Sequence, residues 1–277
     1  MALVCVFGPP AAQLAILGSL LSVLAGLFLS YLEQEDVRDR QRNEVLQRLA
    51  IPLTLAPEHD LYDQYLAFCD ALNQLATRME PILREIAALK LASVGREISA
   101  LADGTVVFTG TEAWRTVYEK LLNTPEVAKY QSVAWVKTKD YWQDSPGQQS
   151  MQANFEAVRR RLLIERIVIL PDELWPEGQG LPDESVRPWI EEQHDHGLWV
   201  TLVRESQIAA EPDLLADIGI YGDRAVGMQE FDERSRTTRF VLQFNDDSVR
   251  LAKHRWERLS LFATSYRKLL DRMDKNR

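Results

Sequence analysis

Residues 164–170 read IERIVIL, and residues 198–203 read LWVTLV. Short runs that are apolar on both faces of an extended chain are typical of strands buried on both sides of a sheet. Such strands need helices on each face to cover them. These two runs therefore predict the centre of an α/β sheet.

The flanking sequence alternates further strand-like runs with helical patterns, as expected for a mixed sheet covered by helices. The other predicted strands are residues 105–108, 131–136, 220–226 and 237–244, and the predicted helices are residues 112–122, 149–162, 183–196, 207–216 and 247–273. The predicted fold class is α/β, with this domain occupying residues 104–277.

The N-terminal region contains an uncharged apolar stretch, AAQLAILGSLLSVLAGLFLSYL, at residues 11–32. As a helix these residues reach about 33 Å, which is enough to cross a bilayer core. A cleaved signal peptide is the alternative, but no basic residue precedes the stretch, as one would in a signal peptide. The sequence predicts a tail and transmembrane helix over residues 1–32, with the lipid bilayer as partner of residues 11–32.

Basic residues follow the span at Arg38, Arg40, Arg42 and Arg48, while none precedes it. By the positive-inside rule, the carboxyl-terminal domain lies in the cytoplasm. We therefore expect a single-pass protein of the inner (plasma) membrane of a bacterial cell.

Small side chains recur at four-residue intervals within the span, at Gly18, Ser22, Gly26 and Ser30. This spacing places them on one stripe of a helix, where a second membrane helix can approach closely. The stripe indicates that two copies of this helix pair to form a homodimer.

Residues 33–103 form a predicted helical linker. Acids and bases alternate at helical spacing up to about Leu49, and this helix is expected to end near Pro52. An amphipathic helix then runs from about Asp60 to Ala100, with Pro81 expected to kink or divide it. Its first apolar face comprises Leu61, Tyr65, Phe68, Leu72 and Leu75.

Charge and composition exclude several functions. All 73 charged residues lie after position 32, and the net charge is −9, so nucleic acid is an unfavourable partner. Cys5 and Cys69 are too few for a disulfide framework or a metal cage. No Walker loop, GxGxxG, GxSxG or HExxH sequence occurs, so no cofactor, metal or catalytic residue is predicted.

The segment His194-Asp195-His196 places two imidazoles beside a carboxylate, a combination that can bind a metal or transfer a proton. Gly197 follows it directly, a pattern typical of a helix C-terminus where cationic side chains meet the negative end of the helix dipole. The helix end is the favoured interpretation.

Three segments, taken in order, resemble one repeat of the phospholipase D-like superfamily. They are TEAWRTVYEKLL at residues 111–122, the two helix-turn-strand segments at residues 154–170 and 189–203, and DLLADIGIYGDRAVGMQE at residues 213–230. The resemblance covers about residues 105–270 and implies a single repeat of that fold.

The family's catalytic motif, His-x-Lys-x4-Asp, is absent from the third segment. If Asp223 stands for the aspartate of the motif, Ala216 occupies the histidine position and Ile218 the lysine position. A phosphohistidine mechanism then lacks its nucleophile. The resemblance therefore implies a domain that binds rather than cleaves.

These features together predict a membrane-anchored, non-catalytic sensor or adaptor that binds a small ligand or a protein. The expected cleft lies near Tyr141, Trp142, Asp223, Glu230 and Arg236. One alternative is a phosphodiesterase or nuclease that uses His194, His196 or His254. Another is a membrane scaffold that recruits a protein partner.

Overall fold

The computed structural model describes residues 9–77, 80–109, 111–141, 143, 145–231 and 237–275. The chain forms two compact units, the first ending at Lys90 and the second beginning at Leu91. The first unit contains the helices predicted for the membrane and linker, and the second contains the sheet.

The first unit begins with helix α1, Pro10–Leu55, followed by α2, His59–Thr77, and the start of α3, Pro81–Ala102. The part of α1 from Pro10 to Asn43 contains a stretch long and apolar enough to span a membrane, and none of that stretch is buried. Pro81 is the first residue of α3, so it divides the amphipathic pattern as predicted.

The predicted end of the linker helix near Pro52 is wrong, because α1 continues to Leu55. A proline removes one backbone donor, yet its carbonyl still accepts. The backbone N–H of Ala56 donates to the Pro52 carbonyl at 3.0 Å, which closes a further turn.

The second unit contains the remaining helices and strands in alternation. The strands are β1 (Thr105–Phe108), β2 (Lys129–Trp135), β3 (Leu163–Leu170), β4 (Trp199–Arg204), β5 (Asp217–Tyr221), β6 (Ala225–Phe231), β7 (Thr237–Gln243) and β8 (Thr264–Ser265). The helices are α4 (Thr111–Leu122), α5 (Ser145–Arg159), α6 (Arg187–Asp195), α7 (Asp246–Ser260) and α8 (Tyr266–Lys275).

The described residues form an eight-stranded sheet in the order β1-β7-β6-β5-β2-β3-β4-β8. Strand β3 pairs in parallel with β2 and with β4, whereas the remaining neighbours pair antiparallel. The predicted α/β class and mixed sheet are therefore confirmed, with IERIVIL in the central parallel part.

Alternate residues of the sheet point into two separate cores. On one face, strand residues such as Val168 and Leu202 pack in a core with Phe155 of α5 and Ile190 of α6. On the other face, Ile167 and its neighbours pack in a core with residues of α7. Both faces of the central strands are thus buried, which accounts for their apolar sequence.

The predicted single strand at residues 220–226 is wrong, since these residues contain the turn of the β5–β6 hairpin. Gly222 adopts a φ of +56°, a left-handed conformation that glycine takes without a steric penalty. This turn reverses the chain, and Ala225 consequently pairs with Tyr221.

Two predicted helices also differ from the structure. Residues 207–216 form two short 3₁₀ turns, Glu205–Ile208 and Pro212–Leu214, because Pro212 cannot donate a helical hydrogen bond. The predicted helix 247–273 is divided into α7 and α8 by β8, which adds to the sheet edge formed by β4.

Candidate functional site

The candidate site is an open cleft at the carboxyl end of β2. Strand β5 runs antiparallel to β2, so its first residue, Asp217, lies at this same edge of the sheet. The cleft has a volume of about 540 Å³ and is lined by Trp135, Lys137, Leu215, Ala216, Asp217, Met228, Gln229, Glu230, Arg239 and Val241. The carboxyl ends of parallel strands are a frequent location for ligand sites in α/β proteins.

Asp217 forms a buried hydrogen-bonded group with the neighbouring loop. Its Oδ2 accepts from the hydroxyl of Tyr141 at 2.5 Å and from the backbone N–H of Trp135 at 3.3 Å. Both Tyr141 and Asp217 are buried. Tyr141 therefore secures the loop that follows β2 to the back of the cleft.

The ionisation of Asp217 is displaced from that of an ordinary aspartate. Burial raises the pKa of its carboxyl to about 7, although the hydrogen bonds from Tyr141 and Trp135 and the charge of Arg166 each lower it. Burial also raises the pKa of the Tyr141 hydroxyl well above its usual range, with a further contribution from Asp217. The back of the cleft thus contains a carboxyl group that changes charge near neutral pH.

An aromatic ring and a cation form one wall. The indole N–H of Trp135 donates to Glu205 Oε2 at 3.1 Å, which fixes the plane of the ring. The ammonium group of Lys137 lies 4.0 Å from the centre of that ring. Such a cation–π contact holds an exposed lysine at a defined position.

The opposite wall contains an exposed ion pair. Arg239 on β7 donates to Glu230 on β6, with 2.8 Å between Nη1 and Oε1. The two residues are register partners on adjacent strands. A second cation, the guanidinium group of Arg239, therefore lies at the mouth of the cleft, partly neutralised by Glu230.

A small internal cavity of about 20 Å³ adjoins the cleft, and Asp217 and Gln229 line both. The buried guanidinium of Arg166 also lines this cavity and donates to Ser132 Oγ at 2.8 Å and to Gln193 Oε1 at 2.5 Å. A cavity of this size accommodates about one water molecule.

Two buried polar atoms at this cavity lack a partner within the part of the chain that the structure describes. They are the donor Nε1 of Trp189 and the acceptor Oε1 of Gln229. A buried polar atom without a partner costs free energy, so these atoms favour occupation of the space by a polar group.

The structure brings only some of the predicted site residues together. Tyr141 and Glu230 lie at the cleft, the first behind Asp217 and the second on the rim. Trp142 and Arg236 lie outside the described residues. Asp223 lies in the β5–β6 turn, beyond the opposite end of the five-residue strand that begins at Asp217.

Asp223 has a different environment from the cleft residues. It is exposed and pairs with Lys253 of α7, and this hydrogen bond and charge lower the pKa of the Asp223 carboxyl. It lines one groove near the amino ends of β2 and β3 and another along α7. A small ligand in the cleft does not reach it.

Sequence analysis missed the two buried charged residues nearest the cleft, Asp217 and Arg166. Asp217 is the first residue of the apolar strand sequence DIGIY, and Arg166 lies within the apolar strand sequence IERIVIL. A charged side chain within a buried strand is the signal that identifies such residues, because its burial requires compensating partners.

None of the four histidines lines the cleft or the cavity behind it. The ring of His196 stacks on Phe155 and the ring of His194 contacts Tyr266, at the carboxyl end of α6. The predicted helix end is thereby confirmed. Ala216, which the sequence resemblance aligns with the histidine of the family's motif, is part of the cleft wall.

The membrane stripe residues Gly18, Ser22, Gly26 and Ser30 all lie in α1 and are exposed. The hydroxyl of Ser22 donates to the Gly18 carbonyl at 2.9 Å, which satisfies its polar group within the helix. In the described ranges no group of three or more His, Cys, Asp or Glu side chains is placed to hold a metal ion.

No family model matches the chain, and no curated protein matches it either. Several solved structures are similar to part of the chain. Nuc from Salmonella typhimurium, a phospholipase D family member, is 12% identical, with a TM-score of 0.41 over 58% of this chain and 98% of its own.

NucT from Helicobacter pylori is 8% identical, with a TM-score of 0.40 over 58% of this chain and 98% of its own. The phosphatidylserine synthase of Haemophilus influenzae is 13% identical, with a TM-score of 0.38 over 58% of this chain and 39% of its own. Phospholipase D family structures are thus among those to which this chain is similar, and the likeness is one of fold alone.

Proposed function

We propose that this protein is a membrane-anchored sensor or adaptor whose cleft at Asp217 binds a small phosphorylated ligand without cleaving it. The observation that carries the proposal is the cleft itself. It combines an aromatic wall and two cationic side chains with no histidine among its lining residues.

The size and lining of the cleft suit a small molecule. Its volume of about 540 Å³ lies within the usual range for ligand pockets, roughly 300–1,000 Å³. Met228, Leu215 and Val241 supply apolar surface, and Trp135 supplies a ring against which a planar group can stack.

The cations select an anionic group. Lys137 forms no ion pair with a carboxylate of the described residues, and Arg239 is paired only at the exposed rim. An ammonium and a guanidinium group on facing walls are suited to phosphate oxygens. Protonated Asp217, which is neutral below about pH 7, does not repel such an anion.

The same lining argues against hydrolysis by the mechanism of the phospholipase D-like family. That mechanism needs a histidine nucleophile, and Ala216 stands at the corresponding position. The histidines of α6 are engaged with Phe155 and Tyr266 at the other end of the domain.

Helix α1 supplies the membrane anchor in this proposal. We expect α1 to anchor the protein in the inner membrane, with the second unit in the cytoplasm because Arg38, Arg40, Arg42 and Arg48 follow the span. The stripe of Gly18, Ser22, Gly26 and Ser30 would permit two copies to pair there, so that a binding event is passed to a neighbouring copy.

The test is a titration of the full-length protein in detergent with inorganic phosphate, sugar phosphates and nucleotides, followed by calorimetry. One of these should bind, and Lys137→Ala should weaken binding about tenfold or more, because a charge-assisted hydrogen bond contributes roughly 1.5–3 kcal/mol. Lys139→Ala is the matched control, since Lys139 is exposed and outside the cleft. Equal losses in both variants, or no binding of any compound, would contradict the proposal.

A further inference from the structure

Helices α2 and α3 expose large apolar side chains, and neither contains a buried residue. On α2, Leu61 is 59% exposed and Phe68 is 41% exposed. On α3, Leu89 is 71% exposed. Helices of about this length are marginal in water unless an apolar face packs against something, so these helices require a partner.

The apolar residues follow the spacing of a coiled coil. On α2 they occur at Leu61, Tyr65, Phe68, Leu72 and Leu75, alternating intervals of four and three. Ile82, Ile86 and Leu89 repeat the same spacing within α3, a separate helix that begins at Pro81. On α2, residues 61, 68 and 75 then occupy d positions and residues 65 and 72 occupy a positions; on α3, residues 82 and 89 occupy d positions and residue 86 an a position. These positions form the seam between paired helices.

The charged residues fit pairing with an identical helix. Asp60, Asp63 and Asp70 of α2 all fall at the outward c and f positions. The e and g positions of α2, including Gln64 and Cys69, carry no charge. Two acidic helices can therefore lie side by side without bringing like charges together across the seam.

The first turns of α3 supply an attractive pair. Glu85 lies at a g position and Lys90 at the e position five residues later, and both are exposed. In a parallel two-stranded coiled coil, a g residue faces the following e residue of the other helix. Glu85 of one copy would thus face Lys90 of the other, in two symmetric ion pairs.

We propose that α2, His59–Thr77, and residues 81–90 of α3 each pair as a parallel two-stranded coiled coil with the same segment of a second copy of this chain. Membrane lipid is a poorer occupant of the same face, because α2 carries three aspartates and no lysine or arginine. Anchoring by α1 would hold both copies in one orientation at a high effective concentration, which favours parallel pairing of short helices.

Cysteine cross-linking of the full chain in membranes tests the arrangement. In a background of Cys5→Ser and Cys69→Ser, Phe68→Cys at a d position should yield a disulfide-linked dimer on oxidation. Asp70→Cys, two residues away at an f position, is the matched control and should remain monomeric. Equal cross-linking of the two variants, or none in either, would overturn the proposal.

Charge reversal tests the pairing of Glu85 with Lys90. In the Phe68→Cys background, Glu85→Lys should reduce the cross-linked fraction, because it places like charges together. Adding Lys90→Glu should restore it. Failure of the double substitution to restore cross-linking would contradict the parallel register, and helicity measured by circular dichroism would identify a variant that had simply unfolded.

The coiled coil adds a contact outside the membrane to the pairing through α1 on which the proposed function rests, and cross-linking tests it without a ligand. Loss of cross-linking with intact binding would reject the coiled coil alone. Loss of binding with intact cross-linking would reject the cleft alone.

Discussion

Asp217 links the stability of the domain to pH in an unusual direction. Its folded pKa of about 7 lies above the ordinary value of 3.8, so the folded state retains a proton that the unfolded state releases. Below about pH 4 both states are protonated and the carboxyl imposes no penalty. As the pH rises towards 7 the unfolded state is favoured, by on the order of 4 kcal/mol in total.

Asp217→Asn should therefore remove this loss of stability. We expect the free energy of unfolding of the variant, relative to the natural protein, to increase between about pH 4 and pH 8 in denaturant titrations. Asp223→Asn is the control, because that carboxyl is exposed and Lys253 lowers its pKa. A constant difference between Asp217→Asn and the natural protein across this range would contradict the assignment.

Gly219 and Gly227 face each other on β5 and β6 and make room for aromatic rings beside the cavity. A Cβ atom at Gly227 would lie 2.6 Å from Cζ of Phe240, whose ring packs 5.0 Å from that of Trp114. Gly227→Ala should lower the free energy of unfolding by roughly 1–3 kcal/mol, the usual cost of overpacking.

Gly95→Ala is the control for the glycine substitution. Gly95 lies in α3 with no atom within 4 Å of an added Cβ. Alanine is the better helix former, so this variant should gain about 1 kcal/mol in the same denaturant titration. Similar stabilities for the two variants would show that the Gly227 position has more space than the structure indicates.

At this scale the sequence indicates one residue of the candidate cleft. Tyr141 follows a strand in a turn-rich loop, and in the structure its hydroxyl donates to Asp217 at the back of the cleft. The partnership between Tyr141 and Asp217 spans 76 residues of sequence, and such a contact exists only once the sheet has formed. No local pattern identifies it.

Helix α7 has a defined start at the element scale. The side chain of Asn245 accepts from the backbone N–H of Ser248 at 2.8 Å, and Asp246 and Asp247 occupy the first turn. Asn245→Ala should lower the free energy of unfolding by about 1 kcal/mol, whereas Asn245→Asp should retain it. Equal stability of the alanine variant in thermal unfolding would show that the cap is dispensable.

Elements with strong periodicity were predictable from the sequence. The central strands and the division of the linker at Pro81 follow from apolar runs and from proline chemistry. The β5–β6 hairpin and the break between α7 and α8 were missed. Both depend on pairing with distant strands, β2 for the hairpin and β4 for β8, which propensity does not encode.

At the scale of the whole molecule, we expect α1 to anchor the protein in the membrane. Its uncharged apolar stretch, residues 11–32, should keep the full chain in the membrane fraction after alkaline washing. A reporter fused to the carboxyl terminus should be active only in the cytoplasm, because the arginines lie after the span. Activity of a periplasmic reporter at that terminus would overturn the orientation.

The central claim is that the cleft binds a phosphorylated ligand and does not cleave it. Phosphorus NMR of the full-length protein with sugar phosphates, nucleotides and a simple phosphodiester reports binding and turnover in one measurement. The account predicts that a ligand resonance broadens, that Lys137→Ala reduces the broadening at the same ligand concentration, and that no product resonance grows in at any pH. A product resonance that disappears in a His194→Ala, His196→Ala or His254→Ala variant would contradict it.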